Sequence, residues 1–411
     1  MAFPRRARRL WSSLRAERRT LRQGLAALTL STLASFVAGL TLGHITNTLT
    51  QLPGLLVLIP AAVGMRGTIF GAIGARLGTS THAGLFEVTL DRNGVLYQNI
   101  EVALITTFTS ALWLAILARI ATLAFGQHSI SIWDFVTISV VGGALGSVFI
   151  LLFTIGLSVL SYRRGYDLDA VATPMVTALG DMGTLPTLFL ATFITRNHAV
   201  NAVVAAVCVV VCIYSLVRAI TTDLKPVRRI VAEMVAVILL TPILDIAAGA
   251  VLQAKEPVLT ALPGLLILIP PFVSQAGALG GILSSRLSSK LQLGLITTRG
   301  LPESPALLDA GLVIVFGVAI FTFIGAVALV LANLTGLAHP GAGTMIGGTL
   351  LAGVLALPVV IGVGYYLAIV TSRFGLDPDN QSVPIITSVM DLVGVAAVLI
   401  AMATLGVAIN G

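Results

Sequence analysis

Charge is what this chain of 411 residues has least of. Only 10% of its residues are Asp, Glu, Lys or Arg, against about 25% in an average soluble domain. Nine of these charges crowd into the first 22 residues, as eight arginines and Glu17, so the remaining 389 residues are poorer still. A water-exposed surface of this size could not be built from so few charged groups. That excludes an ordinary soluble enzyme, a disordered chain and a nucleic-acid-binding protein. The net charge of +7 does not argue for nucleic acid, because basic loops also mark membrane proteins. Cysteine is nearly absent too. Cys208 and Cys212 stand four apart in an apolar run and read as small buried hydrophobes of one helix face, with no disulfide framework and no zinc spacing.

What fills the chain instead is apolar sequence, 57% of all residues. Uncharged runs of about 20 residues suit a hydrocarbon core ~30 Å thick. They predict eleven transmembrane helices near 24–45, 52–74, 99–125, 133–160, 174–195, 199–219, 229–252, 263–284, 306–333, 342–371 and 384–410. The fold class is therefore an all-α polytopic membrane protein. The first span follows an Arg-rich stretch but is too long for a signal peptide and lacks a prompt cleavage site. An N-terminus placed in the cytoplasm puts 20 of the 24 basic residues on that side, with Arg196 and Lys255 outside and Arg66 and Arg119 within spans. The positive-inside rule then places the C-terminus externally, in a cell (plasma) membrane.

The sequence repeats itself at an offset of 210. Leu52-Pro53-Gly54-Leu55-Leu56-Val57-Leu58-Ile59-Pro60 returns as Leu262-Pro263-Gly264-Leu265-Leu266-Ile267-Leu268-Ile269-Pro270. In the same register Arg76 meets Arg286, Gly84 meets Gly294, Asp167 meets Asp377, Asp169 meets Asp379 and Asp181 meets Asp391. A register held over more than a hundred residues marks a duplication. The domains expected are an Arg-rich cytoplasmic segment (1–23), a first five-helix repeat (24–196), a linking transmembrane helix (197–222) and a second five-helix repeat (229–411). Five spans per repeat would invert the second copy, and the linking helix restores parity. The two repeats then run parallel about an axis along the membrane normal, as a pseudo-dimeric monomer.

Carboxylates inside spans cost at least ~2.5 kcal/mol on insertion scales and are functional hypotheses by default. Asp181 and Asp391 are repeat-equivalent, each follows a proline by seven residues, and both should face the central axis. A cation site is the functional reading; capping of a broken helix or bonding a neighbouring hydroxyl is the structural one. Asp245 lies in the seventh span opposite Ser35 in the repeat, as a coupling-ion site or a polar contact between helices. Arg66 lies opposite Ala276 and suits neutralising a carboxylate, lining a wet cavity, or bonding carbonyls of a broken second span. The pairs Asp167/Asp169 and Asp377/Asp379 sit at cytoplasmic mouths, where they would concentrate cations or cap helices. The five histidines form no ligand set. Glycines of the second and eighth spans, among them Gly64, Gly67, Gly71, Gly277, Gly280 and Gly281, suit close packing or exposed carbonyls.

Together the Pro-Gly-Leu-Leu…Ile-Pro stretches, the Gly-rich runs closed by Ala-Arg-Leu or Ser-Arg-Leu, and Asp-x-Asp…Pro…Thr-x-x-x-Asp resemble the MgtE/solute-carrier family of magnesium channels and transporters. The resemblance covers residue 25 to the end in two copies, in the fused form without the cytosolic sensing domains. It implies transport of Mg²⁺, held partly hydrated in the pore by Asp181 and Asp391. Thr68 and Ala278 stand where the family often has Asn. The ion chemistry agrees, since Mg²⁺ keeps waters and takes one or two carboxylates, and no soft ligand argues for zinc or copper. No prosthetic group is expected; the partners expected are a divalent cation, the lipid bilayer and, in a carrier, a coupling ion, Na⁺ or H⁺. An exchanger of another divalent metal is the alternative. A membrane-embedded metal-dependent enzyme would need a dense carboxylate motif on one helix face, which is missing, and a scaffold would leave the duplicated aspartates unexplained.

Overall fold

In the computed structural model, residues 18–82, 84, 86–89, 91–164, 172–297, 302–374 and 378–407 are described. They form α1 (Arg18–His44), the short α2 (Thr46–Gln51), α3 (Leu55–His82), α4 (Val95–Ala124), α5 (Ile132–Arg164), α6 (Ala172–Thr195) and α7 (His198–Thr221). Then follow α8 (Lys225–Ala254), the short α9 (Glu256–Ala261), α10 (Pro263–Gln292), α11 (Ser304–Thr335), α12 (Ala342–Phe374) and α13 (Pro378–Thr404). No strand occurs among the described residues. Ten of the helices are long and apolar enough to cross a membrane. The remaining expected span, 174–195, is α6, whose 24 residues extend ~36 Å at 1.5 Å per residue. This is a multi-pass α-helical membrane protein.

Local chemistry sets the helix ends. Ser131 and Asp134 cap α5 reciprocally: the Ser131 amide donates to Asp134 Oδ2 at 3.0 Å and the Asp134 amide to Ser131 Oγ at 3.2 Å. Asn197 accepts the Ala199 and Val200 amides at the start of α7. At the C-termini of α4 and α11, Gly126 and Gly336 take φ of 63° and 69°. That left-handed step lets the next amide, of Gln127 or Leu337, return to a carbonyl five residues back. The two glycines are 210 apart. So are the short helices α2 and α9, which pack against each other, and the bounds of α5 and α12.

Two expectations about helix ends need correction. The second span is not broken: α3 runs through Pro60, as its counterpart α10 runs through Pro270 and Pro271. Each proline removes one backbone donor, and membrane helices absorb that when neighbours compensate. The last helix begins at Pro378, not near Pro384, which lies inside it. Asp391 is therefore deep within a continuous helix, and helix capping does not account for it.

The helices of the two copies interleave. α1 packs on α10 of the other copy, and in the mirrored arrangement α8 packs on α3. Glycine enforces both crossings. A Cβ on Gly249 of α8 would stand 2.3 Å from the Val57 carbonyl oxygen of α3. A Cβ on Gly39 of α1 would stand 2.1 Å from the carbonyl oxygen of Ile267 on α10. Only a missing side chain permits backbones so close. Gly277 and Gly280 let α10 take the side chains of Thr387 and Ile386 of α13 closely, whereas a Cβ on Gly71 would meet nothing within 4 Å. Cys208 and Cys212 are free and buried on α7, as expected.

Candidate ion-binding site

Asp181 on α6 is buried at 5% exposure and receives two hydrogen bonds on the same oxygen. Ser35 Oγ of α1 and Ser274 Oγ of α10 each donate to its Oδ2 at 2.7 Å. Three helices, one from the other copy, thus meet on one carboxylate. The mirror of this arrangement is assembled from α13, α8 and α3. Asp391 stands where Asp181 stood, Asp245 replaces Ser35, and Gly64 replaces Ser274.

Chemically the mirror is different. Asp245 is fully buried, and neither of its oxygens receives a hydrogen bond. Ser388 and Asp391 are its polar neighbours. Asp245 Oδ2 lies 3.1 Å, and Asp391 Oδ2 3.3 Å, from the point a Cβ on Gly64 would occupy. The two carboxylates therefore flank one glycine, close enough to share a hydrated ion. Asp391 is also within electrostatic reach of Asp181. The crossing at Gly249, one turn along α8, holds Asp245 at this level. No set of three Asp, Glu, His or Cys side chains converges tightly enough to ligate a bare metal among the described residues. An ion here would keep waters, the habit of Mg²⁺.

Arg66 does not join this chemistry. It is 1% exposed, and its Nε and Nη1 have no acceptor. It lies two residues from Gly64 on α3 but turns the other way, its guanidinium against Gly143 of α5 and beside Ala111 of α4. It neither neutralises an aspartate nor bonds carbonyls of a broken helix. The mirrored slot shows what it does sterically: there the Phe321 ring packs against Gly353, with Phe272 stacked on it at 4.6 Å between centroids. Arg66 fills in one copy the volume that aromatic rings fill in the other, where Ala276 stands in its place.

The remaining expected residues fall elsewhere. Asp167, Asp169 and Asp377 lie outside the described residues, and Asp379 lies in the first turn of α13 with its side chain outside them. Asp309, which motif reasoning passed over, is 2% exposed and takes Arg286 at 2.9 Å and Lys290 at 2.6 Å. Glu101 pairs with Arg218, and Glu233 with Arg76 and Arg229. These are structural ion pairs, with Glu101 Oε2 and Arg76 Nε buried without a hydrogen-bond partner. Arg119 binds the Ser129 hydroxyl and the Ile130 carbonyl of the loop after its own helix. Ser35 and Ser274 could have been found from sequence only by noticing which positions mirror Asp245 and Gly64.

The family model described as "Divalent cation transporter", MgtE, matches residues 59–191 and again 269–401. The chain belongs to the MgtE family. The two matches are themselves 210 apart and together span most of both copies. Among curated relatives, this MgtE-family chain is 24% identical over 396 residues to "Solute carrier family 41 member 3" of Rattus norvegicus, covering 88% of this chain and 83% of that one. The Mus musculus protein of the same name is 26% identical over 372 residues, covering 83% and 73%. "Solute carrier family 41 member 2" of Xenopus laevis is 25% identical over 143 residues, 34% of this chain and 25% of that protein. No solved structure matches.

Proposed function

We propose that this protein carries a divalent cation, Mg²⁺ first among candidates, across the membrane along the boundary between its two interleaved copies. The observation that carries the reading is the position of Asp181, Asp245 and Asp391. They come from three helices and both copies; Asp181 and Asp245 are buried within the bundle, where uncompensated charge is costly, and Asp391 lies within electrostatic reach of both. Two carboxylates beside a glycine suit a cation that retains part of its water shell. Membership in a transporter family argues in the same direction and against catalysis.

The basic residues favour a cytoplasmic N-terminus and a plasma-membrane location. The repeat favours two parallel five-helix units joined by α7, a dimer-like path made by one chain. A coupled carrier is favoured over a passive pore by one feature. Asp245 gives the mirrored sites unequal charge, as a second, exchanged ion would need. Asp167, Asp169, Asp377 and Asp379 would draw cations to the cytoplasmic mouth.

Purified protein in liposomes loaded with a Mg²⁺ indicator tests the reading. Wild type should admit Mg²⁺, and Asp181→Asn combined with Asp391→Asn should abolish the signal. Undiminished flux in the double variant would overturn it.

A further inference from the structure

We infer that the divalent cation is held on one side of the pseudo-two-fold, by Asp245 and Asp391 together, while the mirrored Asp181 is a separate, hydroxyl-supported station. This rests on the transport reading and adds where the ion sits.

Two constellations are built from equivalent positions. On one side stand Asp181, Ser35 and Ser274; on the other, Asp391, Asp245 and Gly64. The first carries one carboxylate, and two hydroxyl donors already satisfy one of its oxygens at 2.7 Å. Its charge is spread and its hydrogen bonding is met. The second carries two carboxylates and no donor at the third position. Asp245, at 0% exposure, has two oxygens without a hydrogen-bond donor, and its Oδ2 faces the same point beside Gly64 as Asp391 Oδ2. A buried carboxylate and a half-buried one side by side repel each other, and a charge left unpaired in a low-dielectric interior is among the costliest arrangements a fold can hold.

No basic side chain relieves them. Among the described residues no Arg or Lys pairs with Asp245. The nearest basic residue along α3, Arg66, points into the slot at Gly143 instead. What the half-site lacks is a doubly positive charge, small enough to enter beside Gly64. A side chain at that glycine would crowd both carboxylates, and its absence keeps that side of them unobstructed. The serine at the mirrored position fills the corresponding space with a hydroxyl. A divalent cation matches the second half-site in charge and donor type, since hard oxygen ligands from one or two carboxylates with retained water are what Mg²⁺ takes. The first half-site offers a single negative charge and fits it less well.

The test uses Mn²⁺ as a paramagnetic probe of the divalent site in the full-length protein in detergent, together with Mg²⁺ flux in liposomes. Asp245→Ser, which gives this half-site the residue of its mirror, should weaken Mn²⁺ binding about tenfold or more, and Asp181→Ser only about threefold or less. Asp245→Asn, nearly isosteric, repeats the measurement should the serine variant fail to fold, and gel filtration checks each protein. Moving the acid across, as Asp245→Ser with Ser35→Asp and Ser274→Gly, should restore binding lost in Asp245→Ser. The inference is overturned if Asp245→Ser or Asp245→Asn binds Mn²⁺ within about twofold of wild type, or if Asp181→Ser is the more damaging change. Wild-type protein that moves no divalent cation would instead overturn the transport reading.

Discussion

The close crossing of α8 on α3 sets both the architecture and the height of Asp245, so Gly249→Ala should damage stability and ion binding together. A Cβ there would lie 2.3 Å from the Val57 carbonyl oxygen and 2.7 Å from Val57 C and Cα. Carbon–oxygen contacts in proteins settle near ~3.3 Å or beyond, so the helices must separate by about 1 Å. The obstacle is backbone and cannot rotate away. Overpacking costs about 1–3 kcal/mol, and backbone obstruction belongs at the upper end. Alanine recovers up to ~1 kcal/mol of helix propensity, which leaves a net loss of about 2 kcal/mol. Thermal unfolding in detergent should then fall by several degrees, and Mn²⁺ affinity should fall with it as Asp245 is drawn away from Gly64. Gly71→Ala is the control, because nothing lies within 4 Å of its added carbon; it should be neutral or slightly stabilising. Equal melting temperatures for Gly249→Ala and Gly71→Ala would refute the reasoning.

Other perturbations follow from the same geometry. Gly39→Ala, at 2.1 Å from the Ile267 carbonyl oxygen, should cost about as much as its mirror by the same overpacking argument, read by the same melt. Ser35→Ala and Ser274→Ala should each lose about 1.5–3 kcal/mol, the worth of a hydrogen bond to a charged group. Because both donate to Asp181 Oδ2, the double variant should lose other than the sum, and strict additivity in a double-mutant cycle would contradict the shared-acceptor geometry. Arg66→Met removes two buried donors that have no acceptor while keeping most of the volume. It should leave the melting temperature unchanged or raise it, and a marked drop would reveal a partner for the guanidinium. Asp309→Asn strips Arg286 and Lys290 of their shared carboxylate. It should destabilise by about 1–3 kcal/mol, reduced from the fully buried case because both cations are partly solvated, and the loss should shrink in high salt.

Much of this fold is legible in the sequence because bilayers allow few solutions. Apolar run length gives the spans, and the offset of 210 gives elements whose ends recur at the same spacing, down to the left-handed glycines 126 and 336. The ends of α13 and the continuity of α3 and α10 were not legible, because proline reads as a breaker in sequence while the surrounding bundle decides whether it breaks anything. The exchange of first helices between copies was hidden as well. Gly39 and Gly249 are single glycines among 41 in the chain, and only the opposing backbone at Ile267 and Val57 reveals their purpose. Each intramembrane aspartate stood out as a costly charge. That Asp245 lies beside Asp391, while Asp181 is answered by two serines, depends on helices 146 and 93 residues apart in sequence meeting at one carboxylate. Local pattern carries no record of such pairings. The place of Arg66 was left open for the same reason, since its slot is defined by Gly143 and Ala111 on two other helices.

The central claim, a divalent cation bound between the interleaved copies by intramembrane aspartates, is tested most directly by locating Mn²⁺ through its anomalous scattering in crystals of the protein. The account predicts one strong peak beside Gly64, between the carboxylates of Asp245 and Asp391 and separated from at least one of them by water. A protein that transports Mn²⁺ yet shows its peak away from Asp181, Asp245 and Asp391 alike would contradict it.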